Sequence, residues 1–211
     1  MVIHAAFAEE LKSNPYWSAY FNKKMHDLPS EFVVAGLKKL SQQGNKIAID
    51  LGAGVGHETL LLLQKGYNVI AIDGEQNAFE YMNLQPGIQK FHANLRTIVS
   101  SFENIDYTTL PAVDLVVASF SLPFVAKKDF ETVWTNVVNK IKPGGYFIGN
   151  LFDPGFTFFG EKFRPKMSFH TKEQAFNLFN RFTIVEFKEI NAPSINDGTY
   201  HHYYVIIAKK I

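Results

Sequence analysis

The stretch Asp50-Leu51-Gly52-Ala53-Gly54-Val55-Gly56-His57-Glu58 constrains this chain more than any other. The apolar run Ile47-Ala48-Ile49 leads into it, and a helical pattern from His57 to Lys65 follows. Three glycines at alternate positions therefore turn a buried strand directly into a helix. Glycine adopts positive φ without a Cβ clash and lets the backbone come close to another group. The helix that follows starts with N–H groups that have no partner within it. Such a turn belongs at the carboxyl end of a strand in an α/β sheet, where ligands bind.

The rest of the pattern fits such a sheet. Asn68–Asp73, Arg96–Ser101, Val113–Ser119 and Tyr146–Leu151 read as strands. Between them, Asn77 to Leu84 and the amphipathic run Asp129 to Lys140 read as helices, the latter closed by Pro143-Gly144-Gly145. Gly66 ends the His57–Lys65 helix in the left-handed cap position. Strands alternating with helices at this rhythm imply βαβ units and a parallel sheet. The ending differs. Thr171 opens a helix with a capping-box pattern to Gln174 and an apolar face of Ala175, Phe176, Leu178 and Phe179. Thr183–Ile190 and His202–Lys209 then follow as strands with 11 residues between them. That gap is too short for a crossover helix, so the pair is expected to be antiparallel. The expected fold class is α/β: a seven-stranded, Rossmann-like, mostly parallel sheet with an antiparallel terminal hairpin and helices on both faces.

With no repeat or linker, residues 1–211 read as a single domain, an N-terminal helical segment over 1–28 followed by an α/β core over 29–211. Pro29-Ser30-Glu31 opens a helix with Phe32, Val33, Leu37 and Leu40 on one stripe, stopping near Gly44. Tyr16, Trp17, Tyr20 and Phe21 form an aromatic cluster at helical spacing, read either as packing on the sheet or as a lid over a ligand.

Composition removes several classes of function. The chain has no Cys, so disulfides, Cys-ligated zinc, iron–sulfur clusters and thiol nucleophiles are out. Its net charge of +1, with the lysine pairs scattered, argues against a nucleic-acid partner, whose phosphates demand a clear basic surplus. The tightest apolar run, Leu60–Leu63, is far short of the roughly 20 residues that span a bilayer. The start Met1-Val2-Ile3-His4 lacks a basic signal-peptide head. The expectation is a cytoplasmic protein with no membrane partner, monomeric or homodimeric, and no metal site.

Asp73, at the end of the second strand, is placed to accept hydrogen bonds from both hydroxyls of an adenosine ribose. A dinucleotide fingerprint would need G-x-G-x-x-G, whereas here the third glycine comes one residue early, at Gly56, and His57 stands sixth. Asp50, directly before the loop, suits a ligand with a cationic end, such as the amino group of S-adenosylmethionine (SAM).

Asp50-x-Gly52-x-Gly54-x-Gly56, Asp73, the strand Asp114–Ser119 and Lys142-Pro143-Gly144-Gly145 together resemble the class I SAM-dependent methyltransferases over roughly residues 30–211. More narrowly, Gly145–Leu151, Phe169-His170-Thr171-Lys172-Glu173, Asp197-Gly198 and His201–Lys209 are similar to tellurite-resistance-type small methyltransferases. The resemblance implies that Gly52, Ala53, Gly54 and Gly56 wrap the methionine and ribose of SAM. It implies that Asp50 fixes the loop and faces the amino group, that Asp73 binds the ribose, and that Gly74 and Glu75 lie beside ribose and adenine. Ser100-Ser101-Phe102-Glu103 matches the stretch approaching the adenine, with Phe102 set to stack on the purine. Ser119 and Phe120 are expected under the cofactor, with Ser121-Leu122-Pro123-Phe124 at the mouth. That slot lacks the Asn/Asp-Pro-Pro-Tyr/Phe pattern of the enzymes that methylate base amines.

The resemblance thus implies methyl transfer from SAM to a small-molecule acceptor. The alternatives are an NAD(P)-dependent oxidoreductase and a non-catalytic SAM-binding protein. Thiolate, tellurium or selenium oxyanion, or carboxylate acceptors need no general base, whereas a hydroxyl or ammonium acceptor does. His57 is expected to be structural or on the cofactor side, and His170 is a candidate to face the acceptor. His201 and His202, adjacent on one strand, point to opposite faces. Arg96 and Arg164 are read as surface residues, the alternative being that they bind an anionic acceptor. The Phe-rich segment 152–168 is expected to wall the acceptor site, or else to pack on the sheet edge.

Overall fold

The computed structural model describes residues 15–40, 46–157, 161–194 and 198–211, without the side chains of 161–163. Asp197, the helix stop expected near Gly44, and Phe158, Phe159 and the ring of Phe163 in the Phe-rich segment lie outside the described parts. Its helices are α1 (Pro15–Lys24), α2 (Glu31–Lys39), α3 (His57–Gln64), α4 (Gln76–Asn83), α5 (Lys127–Lys140) and α6 (Lys172–Asn177). The strands are β1 (Lys46–Leu51), β2 (Tyr67–Asp73), β3 (Leu95–Val99), β4 (Val113–Ala118), β5 (Ile141–Phe152), β6 (Phe182–Pro193) and β7 (Tyr200–Lys210).

The sheet runs β3-β2-β1-β4-β5-β7-β6. β1 to β5 pair in parallel, while β7 is inserted antiparallel between β5 and β6. The reversal follows from the short β6–β7 connection, which has no room for a helix. β1 and β4 lie side by side at the centre, where the strand order changes direction, so their carboxyl ends open onto a crevice.

Both faces of the sheet are covered. On one, α5 presents Phe130, Val133, Trp134, Val137 and Val138, three and four residues apart, to Phe147 and Phe179. On the other, Val33 and Leu37 of α2 and Leu62 of α3 bury against Ile148 and Ile207. The terminal helix carries the expected reciprocal cap, with the Gln174 N–H donating to Thr171 Oγ1 at 3.3 Å and the Thr171 N–H to Gln174 Oε1 at 2.9 Å.

Two details differ from the sequence reading. Pro143-Gly144-Gly145 does not precede the fifth strand but bulges within it. Val113 pairs with Ile141 and Leu115 with Tyr146, and Gly144 takes φ +77°. Extra residues on one strand must loop out where the partner has only Asp114 to offer. Phe176, expected on the inner face of α6, is 54% exposed, because Ala175 and Phe179 already fill the space beneath this short helix.

Thr171→Ala should cost about 1 kcal/mol and lower the melting temperature by about 2–4 °C, read by calorimetry.

Candidate functional site

β1 ends in Asp50 and Leu51, and the turn behind it has three left-handed glycines, with φ +75° at Gly52, +51° at Gly54 and +86° at Gly56. The Gly52 and Ala53 N–H groups both donate to the Ile72 carbonyl, at 2.8 and 3.0 Å. Gly52 is also sterically required, since a Cβ there would come within 2.3 Å of Ser121 Cβ.

Asp73 closes the turn from the side. Its Oδ2 accepts the Gly54 N–H at 2.8 Å and its Oδ1 the Glu75 N–H at 2.9 Å. Burial pushes this carboxyl above the usual range, and the backbone N–H bonds pull it back. Each oxygen retains a second lone pair, so a vicinal diol can still be bound. Asp50 is buried beneath the turn and accepts from Thr59 Oγ1 at 2.6 Å. Desolvation, then the nearby Glu58 charge, raise its carboxyl from 3.8 to about 8.

Helix α1 lies over this turn. Phe21 is buried against Val55 and Ala78, and its Cε1 stands 3.7 Å from where a Gly54 Cβ would be. His57 Nε2 meets the Lys24 carbonyl at 2.8 Å, and Asn77 Nδ2 donates to Ser18 Oγ at 2.8 Å. His57, expected as structural or cofactor-side, thus fastens the carboxyl end of α1. Tyr20 keeps 38% of its surface exposed while its hydroxyl end dips among carboxylates. Burial, Glu58, Tyr16, Asp27 and Asp73 together raise this phenol to about 12. The floor and rim of the crevice are therefore acidic.

The end of β4 forms the opposite wall. Ser119 Oγ is 2.7 Å from Ser30 Oγ, and the Ser30 N–H donates to Glu58 Oε1 at 3.0 Å, joining β4, α2 and α3. Phe120 takes φ +51°, a left-handed conformation costing about 1–2 kcal/mol for a residue with a Cβ. It is held there by its N–H, which donates to Asn150 Oδ1 at 2.7 Å. Ser121 Oγ and Asn150 Nδ2 are buried without a hydrogen-bond partner among the described residues. Phe102 stands against the turn, its Cζ 3.4 Å from the position of a Gly52 Cβ, whereas Gly74 has nothing nearer to such a Cβ than Ser101 Cα at 3.9 Å.

Asp50, Gly52, Ala53, Gly54, Gly56, Asp73, Gly74, Phe102, Ser119 and Phe120 thus gather at the carboxyl ends of β1, β2 and β4. Ser30, Glu58 and Asn150 were not singled out from the sequence. Only Asn150 had a visible signal there, as a lone amide in the apolar strand Phe147–Phe152.

The other candidates scatter. His170 packs on Phe130 of α5, with ring centroids 4.3 Å apart. Burial and then Lys127 lower it to about 4, so its imidazole is neutral at ordinary pH. Phe169, its neighbour, turns instead toward Phe152, Phe156 and Met167. His201 stacks on Phe156 on that same side. His202 is on the other face, its ring nitrogens 3.0 Å from Asp153 Oδ1 and 2.8 Å from Glu189 Oε1. Arg164 caps the Phe156 carbonyl at 2.6 Å and lies over the Phe169 ring, a more built-in role than the surface one expected. A broad depression of about 1170 Å3 beside Leu28, Glu31, Lys38 and Gln64 includes no residue of the glycine turn. Among the described residues no helix is long and apolar enough to cross a membrane.

A sheet in this order, with its seventh strand reversed, a glycine turn after β1 and a carboxylate closing β2, defines the class I SAM-dependent methyltransferase fold. Residues 49–149, a little under half of the chain, match the family described as a methyltransferase domain, and the fold is that of solved SAM-dependent methyltransferases. TehB from Haemophilus influenzae is similar at 17% identity, with a TM-score of 0.71 over 92% of this chain and 67% of its own. The N-methyltransferase NodS from Bradyrhizobium japonicum WM9, in complex with S-adenosyl-L-homocysteine, matches at 15% identity and a TM-score of 0.66, over 92% of this chain and 98% of its own. A complex between the Haloferax volcanii Trm112 methyltransferase activator and the putative methyltransferase matches at 15% identity and a TM-score of 0.72, covering 95% of this chain and 96% of that one. No curated protein matches the sequence.

Gly66 also has positive φ, +83°, but a Cβ there meets nothing within 4 Å. Gly66→Ala should therefore cost only the backbone strain, about 1–2 kcal/mol, and Gly52→Ala about 3 kcal/mol or more, as measured by urea unfolding. Asp50 has a clear pH signature. Between about pH 4 and 8 the folded protein keeps a proton that the unfolded chain has released, so stability falls as pH rises through that window. Asp50→Asn should flatten this slope, and a mutant with the wild-type slope would refute the assignment.

Proposed function

We infer that the chain transfers the methyl group of SAM to a small-molecule acceptor, with the cofactor held at the turn Gly52–Gly56. The observation that carries this reading is the buried Asp73 carboxylate, which holds Gly54 and keeps lone pairs free for a ribose diol. In this reading Glu58 attracts the methionine ammonium group, whose arrival draws the proton off the Asp50 carboxyl below it, Gly74 and Phe102 flank ribose and adenine, and Ser119 and Phe120 lie beneath the sulfonium. The sign of the site favours this cofactor over a dinucleotide. Glu58 and Asp73 gather around the start of α3 beside the Asp50 carboxyl, where a pyrophosphate would be repelled and a sulfonium with an ammonium group would be drawn in. The reversed β7 also departs from the six-stranded parallel dinucleotide fold.

SAM supplies an electrophilic methyl group whose S–C bond breaks with the electron pair going to sulfur. The chain's part is to align the acceptor lone pair in line with that bond and to keep water out, which can account for several kcal/mol of the barrier. Helix α1 is the lid in this reading. Phe21 covers the turn, and Trp17 reaches Phe124 at the mouth, with ring centroids 5.1 Å apart.

S-adenosylhomocysteine should raise the melting temperature and shift Trp17 fluorescence, while NADH does neither. Asp73→Ala should weaken its affinity about tenfold or more in calorimetric titration, since each lost charged hydrogen bond contributes about 1.5–3 kcal/mol. Unchanged affinity would sink the ribose assignment. Binding without turnover on any acceptor would favour the non-catalytic alternative.

A further inference from the structure

Beyond the cofactor turn, the carboxyl ends of β4 and β5 and the amino end of β7 converge on a cluster of rings. Phe152, Phe156 and Met167 are buried, and Phe120, Phe124, Phe169 and Tyr203 pack against them while staying half-buried. An ordinary minicore would bury its rings to similar depth and satisfy its polar atoms. This one does neither. Phe120 holds its left-handed backbone only through Asn150, and its ring meets Phe32, Phe152 and Tyr203 at centroid distances of 5.9, 6.2 and 5.3 Å. Because Asn150 Oδ1 accepts the Phe120 N–H, the amide orientation is set and the unpartnered atom is the Nδ2 donor, in a side chain with no exposed surface. Next along the chain, Ser121 pairs an unpartnered buried hydroxyl with close contact to the glycine turn. One strained residue thus joins the cofactor turn to the ring cluster, with two unsatisfied polar groups at the junction.

We propose that this cluster is the acceptor site and that it takes a planar aromatic or heteroaromatic molecule bearing a hydrogen-bond acceptor, a ring nitrogen or a carbonyl oxygen. The inference rests on the SAM reading above. Half-buried rings set edge-on to one another suit a flat π-system, which can stack on one and meet the edges of others. Asn150 Nδ2 and Ser121 Oγ supply the polar handle that would otherwise remain unsatisfied. An inorganic oxyanion would need a free cation here. Among the described residues in contact with the cluster, Arg164 is already committed to the carbonyls of Phe156 and Pro154 and to the face of Phe169, and His202 is held by carboxylates on the far face. In the transfer, the lone pair of a neutral ring nitrogen, or of a hydroxyl oxygen that has already lost its proton to solvent before entering the site, forms the bond to the methyl carbon as the S–C bond breaks with its electron pair going to sulfur. No general base is needed.

The test is calorimetric titration of the protein saturated with S-adenosylhomocysteine, using 4-hydroxyquinoline as planar probe and hexylamine and tellurite as comparators. Transfer of labelled methyl from SAM to each is followed in parallel. The planar probe should bind and the comparators should not. Tyr203→Leu and Phe169→Leu should each weaken the probe at least tenfold while leaving S-adenosylhomocysteine affinity within twofold, and Tyr203→Phe should keep both. Three outcomes overturn the inference while S-adenosylhomocysteine still binds: no probe binding at millimolar concentration, methylation of tellurite or hexylamine in preference, or leucine variants that lower the melting temperature without touching probe affinity. Failure of S-adenosylhomocysteine itself to bind would instead overturn the cofactor reading.

Discussion

Asp73 is the residue on which the rest of the site depends. The last residue of β2 and almost wholly buried, it reaches across to the neighbouring strand's turn and takes the Gly54 amide. Burying a carboxylate is expensive unless it is hydrogen-bonded, and here the backbone of Gly54 and Glu75 provides those bonds. The bonds work in both directions. They keep the carboxylate in place, and they hold the glycine turn in a left-handed path that leaves its edge open to a ligand. The turn in turn supports Phe21 of α1 on one side and Ser121 of the β4 end on the other.

The electrostatics of the crevice follow from the same geometry. Asp50, Asp73 and Glu58 come together because β1, β2 and the start of α3 end at one place, not because any local sequence rule groups them. Their mutual repulsion and desolvation raise Asp50 well above its ordinary range and push Tyr20 in the same direction. A fold that only needed stability would do better with apolar groups there. Such a concentration of carboxyl groups suits the sulfonium and ammonium groups of the ligand proposed above.

The two halves of the site are joined mechanically as well as by position. α1 touches the glycine turn through Phe21 and the ring cluster through Trp17. Phe120 connects the same two regions from below, through a backbone conformation that only the Asn150 amide sustains.

Much of this was legible in the residues. Period-two and period-3.6 patterns placed all seven strands, and the short link before β7 dictated its reversal. The spacing of Gly52, Gly54 and Gly56, with Asp73 one strand later, located the crevice, because those positions obey local backbone rules. The tertiary structure alone decided what depends on distant partners. It put the Pro143-Gly144-Gly145 bulge inside β5, since a bulge is defined by what the neighbouring strand lacks. It turned His170 toward α5 and Phe169 toward the rings, laid α1 over the turn, and paired Asn150 with Phe120 across 30 residues. Local periodicity specifies which way a side chain faces along its own element. Which groups share a buried, low-dielectric space is set only when separate elements pack together.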